Sequence, residues 1–265
     1  MGRYCSTAIL ALAAISASLT NASSQQATVA KTSRAETEIS KIVVFITLEL
    51  KPPREPKGAR KAAAAAPQIL HGTGFLMAVS DSRLPNGRAF GYLVTNRHVA
   101  EAIEQDERGQ CVRHEIERTY VTLNLRDPVN GERAVKQALP ISPEYHWYFP
   151  SDESIDLAVI PFVLPSEEKY DIKTVSMEQL LSSDTIEKDH IVPGDRVYTT
   201  GFFFAYAGLH EIQPIVREGV LAMLPDGPMT TTMCRSGSVY LADVHVTPGN
   251  SGSPIFIVPK LGLGV

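Results

Sequence analysis

The chain has 265 residues, 44% of them hydrophobic and 20% charged; 25 Lys and Arg against 29 Asp and Glu give a formal net charge of −4. That length accommodates one large β domain or two ordinary domains with a packed core. The slight acidic excess argues against a general nucleic-acid binder. With 18 Gly and 18 Pro and a mean hydropathy of −0.03, the chain is neither wholly disordered nor a membrane bundle.

The N-terminus has the three parts of a secretory signal. Arg3 supplies the positive start, the stretch from Ala8 to Leu19 is apolar, and small residues lead to a cleavage site after Ala22. The apolar run is well below the roughly 20 residues of a membrane-spanning helix. We expect 1–22 to be a signal peptide, with an uncleaved anchor or a buried helix as alternatives. The protein is then exported, to the periplasm or the medium, and has no stable membrane span.

A polar, aperiodic stretch at 23–40 predicts a flexible leader. From there on, β-branched and apolar runs separated by turns predict short strands, with helical turns at Val99 to Gln105 and a helix-prone segment at Val175 to Leu181. The expected strands are Ile42 to Leu50, His71 to Val79, Ala89 to Thr95, Tyr120 to Leu125, Ile155 to Phe162, Arg196 to Phe204, Ile215 to Leu224, Ser238 to Val246 and Pro254 to Val258. Two blocks of strands joined by a non-β link predict an all-β fold of two packed antiparallel barrels. The basic, Pro- and Ala-rich 51–67 stretch between the first two strands is expected to be a solvated loop, with contact to an anionic partner as the alternative.

Three segments carry candidate chemistry, in a fixed order. His98 ends a strand where a short helix begins, Asp156 is an acid inside an apolar strand, and Ser251 is flanked by glycines between two strands. A serine needs a neighbouring base, histidine suits that task near neutral pH, and a buried carboxylate fixes the imidazole tautomer. Gly249 permits its own N–H and that of Ser251 to converge as an oxyanion hole. Taken singly, each segment can also be explained by structure alone: a surface or structural histidine, an acid bonded to backbone N–H groups, and an ordinary turn. The combination of the three favours catalysis.

Other chemistries fit less well. An α/β-hydrolase would run Ser, Asp, His and carry G-x-S-x-G, whereas here the serine comes last and position 253 is Ser. The sequence has no H-E-x-x-H motif for zinc, and Cys111 and His114 are a single pair of possible ligands without the second pair that a zinc site needs. We therefore expect neither a metal nor another cofactor. With Cys5 removed with the signal, Cys111 and Cys234 form either one bridge or two separate thiols.

The sequence resembles the trypsin-like (chymotrypsin-fold) serine peptidases, in their bacterial secreted and periplasmic branch. The residues that carry the resemblance are GTGF from Gly72, LVTNRHV from Leu93, DLAV from Asp156 and PGNSGSP from Pro248. It implies a peptidase domain at 41–265, with a first barrel at about 41–165, a link at 166–190 and a second barrel at 191–265. It makes His98 the general base, Asp156 its orienting acid and Ser251 the nucleophile, with Gly249 and Ser251 as the oxyanion hole.

The resemblance also raises an expectation about the second barrel. The chain ends at Val265, shortly after Ser251, where a further strand pair follows in the family. A fragment, an inactive relative and completion by another chain are the alternatives; we expect a fragment, closed by about 20–40 further residues. His245 lies where the family lines its side-chain pocket, and either contacts an acidic substrate group or is an ordinary strand residue.

Two functions remain to be distinguished. The first is an exported serine endopeptidase that acts on protein or peptide substrates and binds no nucleic acid. The second is a catalytically inactive trypsin-like fold that serves as a secreted protein-binding module. Labelling by a serine-directed fluorophosphonate separates them, because only the first has an activated serine.

Overall fold

The computed structural model describes residues 12–14, 38–52, 68–84, 88–126, 136–203, 208, 210–230 and 236–258; at 12–14 only the backbone is described. The predicted signal peptide outside 12–14, most of the leader and of the 51–67 loop, and Cys234 lie outside these residues. None of the helices in the described part of the chain has the length and apolar character that crossing a bilayer requires.

Strands dominate the described residues, which confirms the all-β class. They are β1 (Leu12–Ala14), β2 (Val43–Leu50), β3 (Ile69–Ser80), β4 (Ala89–Thr95), β5 (Ile103–Gln105), β6 (Cys111–Arg113), β7 (Ile116–Asn124), β8 (Lys136–Pro140), β9 (Ala158–Pro161), β10 (Val175–Ser176), β11 (Arg196–Gly201), β12 (Ile215–Met223), β13 (Met229–Thr230), β14 (Ser236–Gly237), β15 (Leu241–Asp243) and β16 (Ile255–Val258). Short helices lie at Arg97–Ala100 and Ser183–Lys188, with a 3₁₀ turn at Met177–Gln179.

The strands form two main sheets. The first has the order β8-β7-β2-β3-β4-β9, with β10 paired to β3, and the second has the order β1-β16-β11-β12-β15. Neighbours are antiparallel except for two parallel pairs, β10 with β3 and β1 with β16. Part of the predicted signal peptide is therefore a short strand beside β16.

Buried apolar residues line the inner faces of both sheets and the seam between the sheets. The first core contains Val44, Leu76, Leu93, Val121, Leu123 and Ile160, and the second contains Ile191, Val197, Leu221, Ile255 and Ile257. A third cluster joins Phe75, Met77 and Val94 of the first sheet to Phe256 of the second. Each such side chain, once fully buried, contributes about 1.5–3 kcal/mol of transfer free energy. This seam packs β3 and β4 of the first sheet against β16 of the second.

Three local predictions are wrong. The helix after His98 ends at Ala100, because Ala102 has a positive φ of 51° and Ile103–Gln105 pairs with Cys111–Arg113. The segment from Val175 forms β10 and a 3₁₀ turn, because Val175 and Ser176 pair with β3. The strand after Asp156 begins only at Ala158, since pairing with β4 starts there.

Cys111 is disulfide-bonded. Both other cysteines of the chain lie outside the described residues, so pairing with Cys234 stays a prediction.

Candidate active site

His98 lies in the short helix Arg97–Ala100, directly after β4. Val99 and Ala100 of this helix are buried and hold it on the first sheet. β3 passes close beneath: a Cβ at Gly72 would lie 2.6 Å from Val99 Cγ1. The first glycine of the GTGF motif thus has a steric reason, because a larger residue would push the His98 helix off the sheet.

The carboxylate of Asp156 binds His98 at two points. Its Oδ2 lies 2.6 Å from His98 Nδ1, and its Oδ1 accepts the backbone N–H of His98 at 2.8 Å. Asp156 is 2% exposed, so little water competes for these bonds. An ionised carboxylate only accepts, which places the ring proton on Nδ1 and leaves Nε2 as the basic nitrogen.

A stacked arginine joins the His98 helix to the loop that precedes Asp156. The Arg97 guanidinium lies 4.7 Å above the centre of the Phe149 ring, and its Nε lies 3.0 Å from Glu101 Oε2. Glu101, 9% exposed, also pairs with Arg113 at 3.1 Å. The His98 helix and the loop before Asp156 are therefore held together by a second contact besides the hydrogen bonds between His98 and Asp156.

The Ser251 loop is fastened to β3 on both sides of the serine. The N–H of Thr73 donates to Ser251 O at 2.8 Å, and the hydroxyl of Thr73 donates to Gly249 O at 2.7 Å. Gly249 and Gly252 have φ of 100° and 91°, which only glycine adopts without strain. A Cβ at Gly252 would overlap the carbonyl oxygen of Thr73. The close approach of loop and strand therefore requires glycine at 252.

Two backbone N–H groups at the serine have no hydrogen-bond acceptor within the described part of the chain: those of Gly249 and Ser251. Gly249 is buried and Ser251 half-buried. Buried N–H groups are normally paired, so this pair is open to a ligand acceptor, and its role as an oxyanion hole stays a prediction. No hydrogen bond joins the His98 ring to the Ser251 hydroxyl, although both residues are described. Such contacts often tighten only when substrate is bound.

Arg217 of β12 anchors the segment that leads to Ser251. It donates to His245 O at 2.7 Å and to Thr247 Oγ1 at 3.1 Å, while its buried Nε has no hydrogen-bond partner among the described residues. Thr247 Oγ1 also accepts from Asn250 Nδ2 at 3.3 Å. The side chain of His245 is exposed, and its role in a substrate pocket stays a prediction. No motif singles out Arg217 in the sequence.

Asn96 is a further site residue that the motif alone does not identify. Its Nδ2 donates to the carbonyl oxygen of Asp156 at 2.8 Å, and its Oδ1 accepts the N–H of Gly252. The only sequence signal is its place in the TNRH motif. Among the described residues, no group of three or more His, Cys, Asp or Glu side chains could hold a metal ion.

Solved structures with a similar fold include the crystal structure of Deg5, with 18% identity, 88% of this chain and 81% of that chain covered, and a TM-score of 0.48. The apo MamO protease domain from Magnetospirillum magneticum has 15% identity, coverage of 85% and 82%, and a TM-score of 0.42. The HtrA-type protease AlgW with decapeptide has 16% identity, coverage of 84% and 54%, and a TM-score of 0.40. No curated protein sequence matches the chain. The model of the trypsin-like peptidase domain matches residues 72–258, from the GTGF motif to the end of β16. The chain belongs to the trypsin-like peptidase domain family.

Proposed function

We propose that the protein is a serine endopeptidase that cleaves peptide bonds through an acyl-enzyme on Ser251. The observation that carries the proposal is the double contact of Asp156 with His98, at 2.6 Å to the ring and 2.8 Å to the backbone. A buried carboxylate that binds both the imidazole and its own main chain leaves the ring one orientation. That is the geometry of a base whose free nitrogen serves a nucleophile.

In the first half of the reaction, His98 Nε2 takes the proton of the Ser251 hydroxyl while Oγ attacks the carbonyl carbon of the substrate. The oxygen of the tetrahedral intermediate carries the negative charge, and the N–H groups of Gly249 and Ser251 donate to it. Loss of one comparable donor costs about 10²–10³ in rate. The C–N bond then breaks as His98 gives its proton to the leaving amine, and Ser251 keeps the acyl group.

The second half returns the enzyme to its starting state. A water molecule gives a proton to His98 and attacks the acyl carbon, and the intermediate collapses as the Ser251 oxygen leaves and is reprotonated. Protein or peptide chains are the substrates. The N-terminal pattern at 1–22 supports export to the periplasm or the medium, where the substrates would then lie.

The test is covalent labelling of the purified protein with a fluorophosphonate probe. We expect the wild type to be labelled and Ser251→Ala to remain unlabelled. Ser253→Ala is the matched control: it is the same substitution in the same loop, at a buried hydroxyl that has no hydrogen-bond partner among the described residues. We expect it to label like the wild type.

Two outcomes would contradict the proposal. Equal labelling of Ser251→Ala would show that another residue reacts. A folded wild type that neither reacts with the probe nor cleaves an unfolded protein would favour the non-catalytic binding module instead.

A further inference from the structure

The side chain of Asn96 links the acid to the nucleophile loop. It is 4% exposed and lies between the end of β4 and the His98 helix. Its amide nitrogen donates to the main-chain oxygen of Asp156 at 2.8 Å, and its amide oxygen accepts the N–H of Gly252, the neighbour of Ser251. The Asn96 side chain thus binds the backbone at Asp156 and at the loop of Ser251, and Asn96 itself lies two residues before His98.

Asn96 does not make the hydrogen bond that an asparagine at the start of a helix usually makes. Asn96 occupies the N-cap of the His98 helix, with extended backbone angles of −75° and 149°, yet makes no side-chain capping bond. An asparagine there normally accepts an N–H of the first helical turn. Here the carboxylate of Asp156 takes the N–H of His98 at 2.8 Å. Asp156 therefore caps the helix from outside, which leaves the Asn96 amide to bind elsewhere.

The chemistry of the two partners calls for an amide. The carbonyl oxygen of Asp156 needs a donor, whereas the N–H of Gly252 needs an acceptor, and a carboxamide carries both on one planar group. Aspartate at position 96 would offer acceptors alone and would place its negative charge against the partial negative charge of the Asp156 carbonyl oxygen. Serine at this position has one hydroxyl on a shorter side chain.

We propose that Asn96 is a positioning residue that holds the backbone of Asp156 and the Ser251 loop in register with His98. The inference rests on the proposed function, because its kinetic consequence requires Ser251 to be the nucleophile. Asn96 is buried and bonded to backbone on both sides, so it does not contact substrate. Its loss should slow the covalent step and leave probe binding nearly unchanged, since displacements of about 1 Å can cost on the order of 10²-fold in rate.

The experiment uses the full chain and three variants: Asn96→Ala, Asn96→Ser and the control Asn124→Ala. Asn124 has the same kind of contact away from the triad, because its amide donates to Ile212 O and accepts Ile212 N–H, both at 2.8 Å. Saturation kinetics of fluorophosphonate labelling separate the binding constant from the maximal rate. Thermal unfolding measures stability, and the downfield proton resonance of the His98–Asp156 hydrogen bond reports that contact without any reaction.

We expect Asn96→Ala to lower the maximal labelling rate by about 10–100-fold, and to weaken or shift the downfield resonance. Asn124→Ala should keep the wild-type labelling rate and the wild-type resonance, even where it loses as much thermal stability as Asn96→Ala. If Asn96→Ala fails to fold, Asn96→Ser decides by the same two readouts. Wild-type rate and an unchanged resonance in the Asn96 variants, or losses no larger than those of Asn124→Ala, would overturn the inference. If the wild type itself does not label, the proposed function fails and the resonance alone decides the role of Asn96.

Discussion

The hydroxyl of Thr73 donates to the carbonyl oxygen of Gly249 at 2.7 Å and so ties the first sheet to the loop that carries the candidate oxyanion hole. The hydroxyl oxygen of Thr73 in turn accepts the N–H of Phe202, just after β11, at 3.2 Å. Thr73 is fully buried. One hydroxyl therefore satisfies backbone groups from two segments of the second half of the chain, and it fixes the peptide that follows Gly249.

Thr73→Val removes that hydroxyl at nearly constant shape. Two buried backbone groups lose their partner, and each costs about 1–3 kcal/mol of unfolding free energy. Because the Gly249 carbonyl is then unheld, we also expect slower fluorophosphonate labelling. Chemical denaturation and the labelling rate measure the two effects.

Thr200→Val is the matched control for this change. Thr200 is also fully buried, but its hydroxyl has no hydrogen-bond partner among the described residues. Replacing it should leave the unfolding free energy equal or higher, since it removes an unsatisfied polar group. The same loss of stability in both variants would contradict the role given to Thr73.

Two glycines with similar backbone angles separate backbone strain from steric overlap. Gly252 has φ of 91° and Gly227 has φ of 99°. A Cβ at Gly252 meets the carbonyl of Thr73, whereas one at Gly227 has no atom of the described residues within 4 Å. Gly227→Ala should cost only the left-handed conformation, about 1–2 kcal/mol. We expect Gly252→Ala to cost more than this and to abolish labelling, because the Ser251 loop must move away from β3.

Unfolding curves and labelling of the two variants test this directly. Wild-type labelling of Gly252→Ala, or equal destabilisation by both substitutions, would mean that the loop does not approach β3 as closely as the structure has it.

Local patterns predicted the strands well where burial and pairing agree with β-propensity. The β2 run of branched and aromatic residues, observed at Val43–Leu50, and the Ala89–Thr95 strand are examples. The local patterns predict the wrong structure at Ile103–Gln105, where the apolar spacing fits a helical turn as well as a strand. There the hydrogen bonds to Cys111–Arg113 decide the conformation, and such pairing overrides propensity.

The same division holds at the candidate site. Residue types and their order predict His98, Asp156 and Ser251 as a triad, because the chemistry requires those groups. The structure brings Asp156 to 2.6 Å from the His98 ring, while the roles of the three residues stay a prediction. Asn96 and Arg217 escaped prediction, because their partners are backbone atoms of distant segments. An asparagine before a helix predicts a cap, and only the folded chain shows that its amide reaches Asp156 and Gly252.

Acid should destabilise the protein through His71, two residues before Thr73 on β3. Its ring stacks on Phe45 at 4.9 Å, and burial lowers its pKa below the ordinary value of 6.5. The unfolded state therefore binds the proton more readily, so stability is lost as the pH falls through about 6.5 and continues to fall until the folded histidine itself protonates.

His71→Phe keeps a ring beside Phe45 and removes this titration. We expect the free energy of unfolding of the wild type to drop more steeply than that of His71→Phe between about pH 8 and about pH 5. His146→Phe, at an exposed histidine, is the control for the substitution itself. Parallel pH dependence of the wild type and His71→Phe would contradict the prediction, because it would mean that the folded protein protonates His71 as easily as the unfolded chain does.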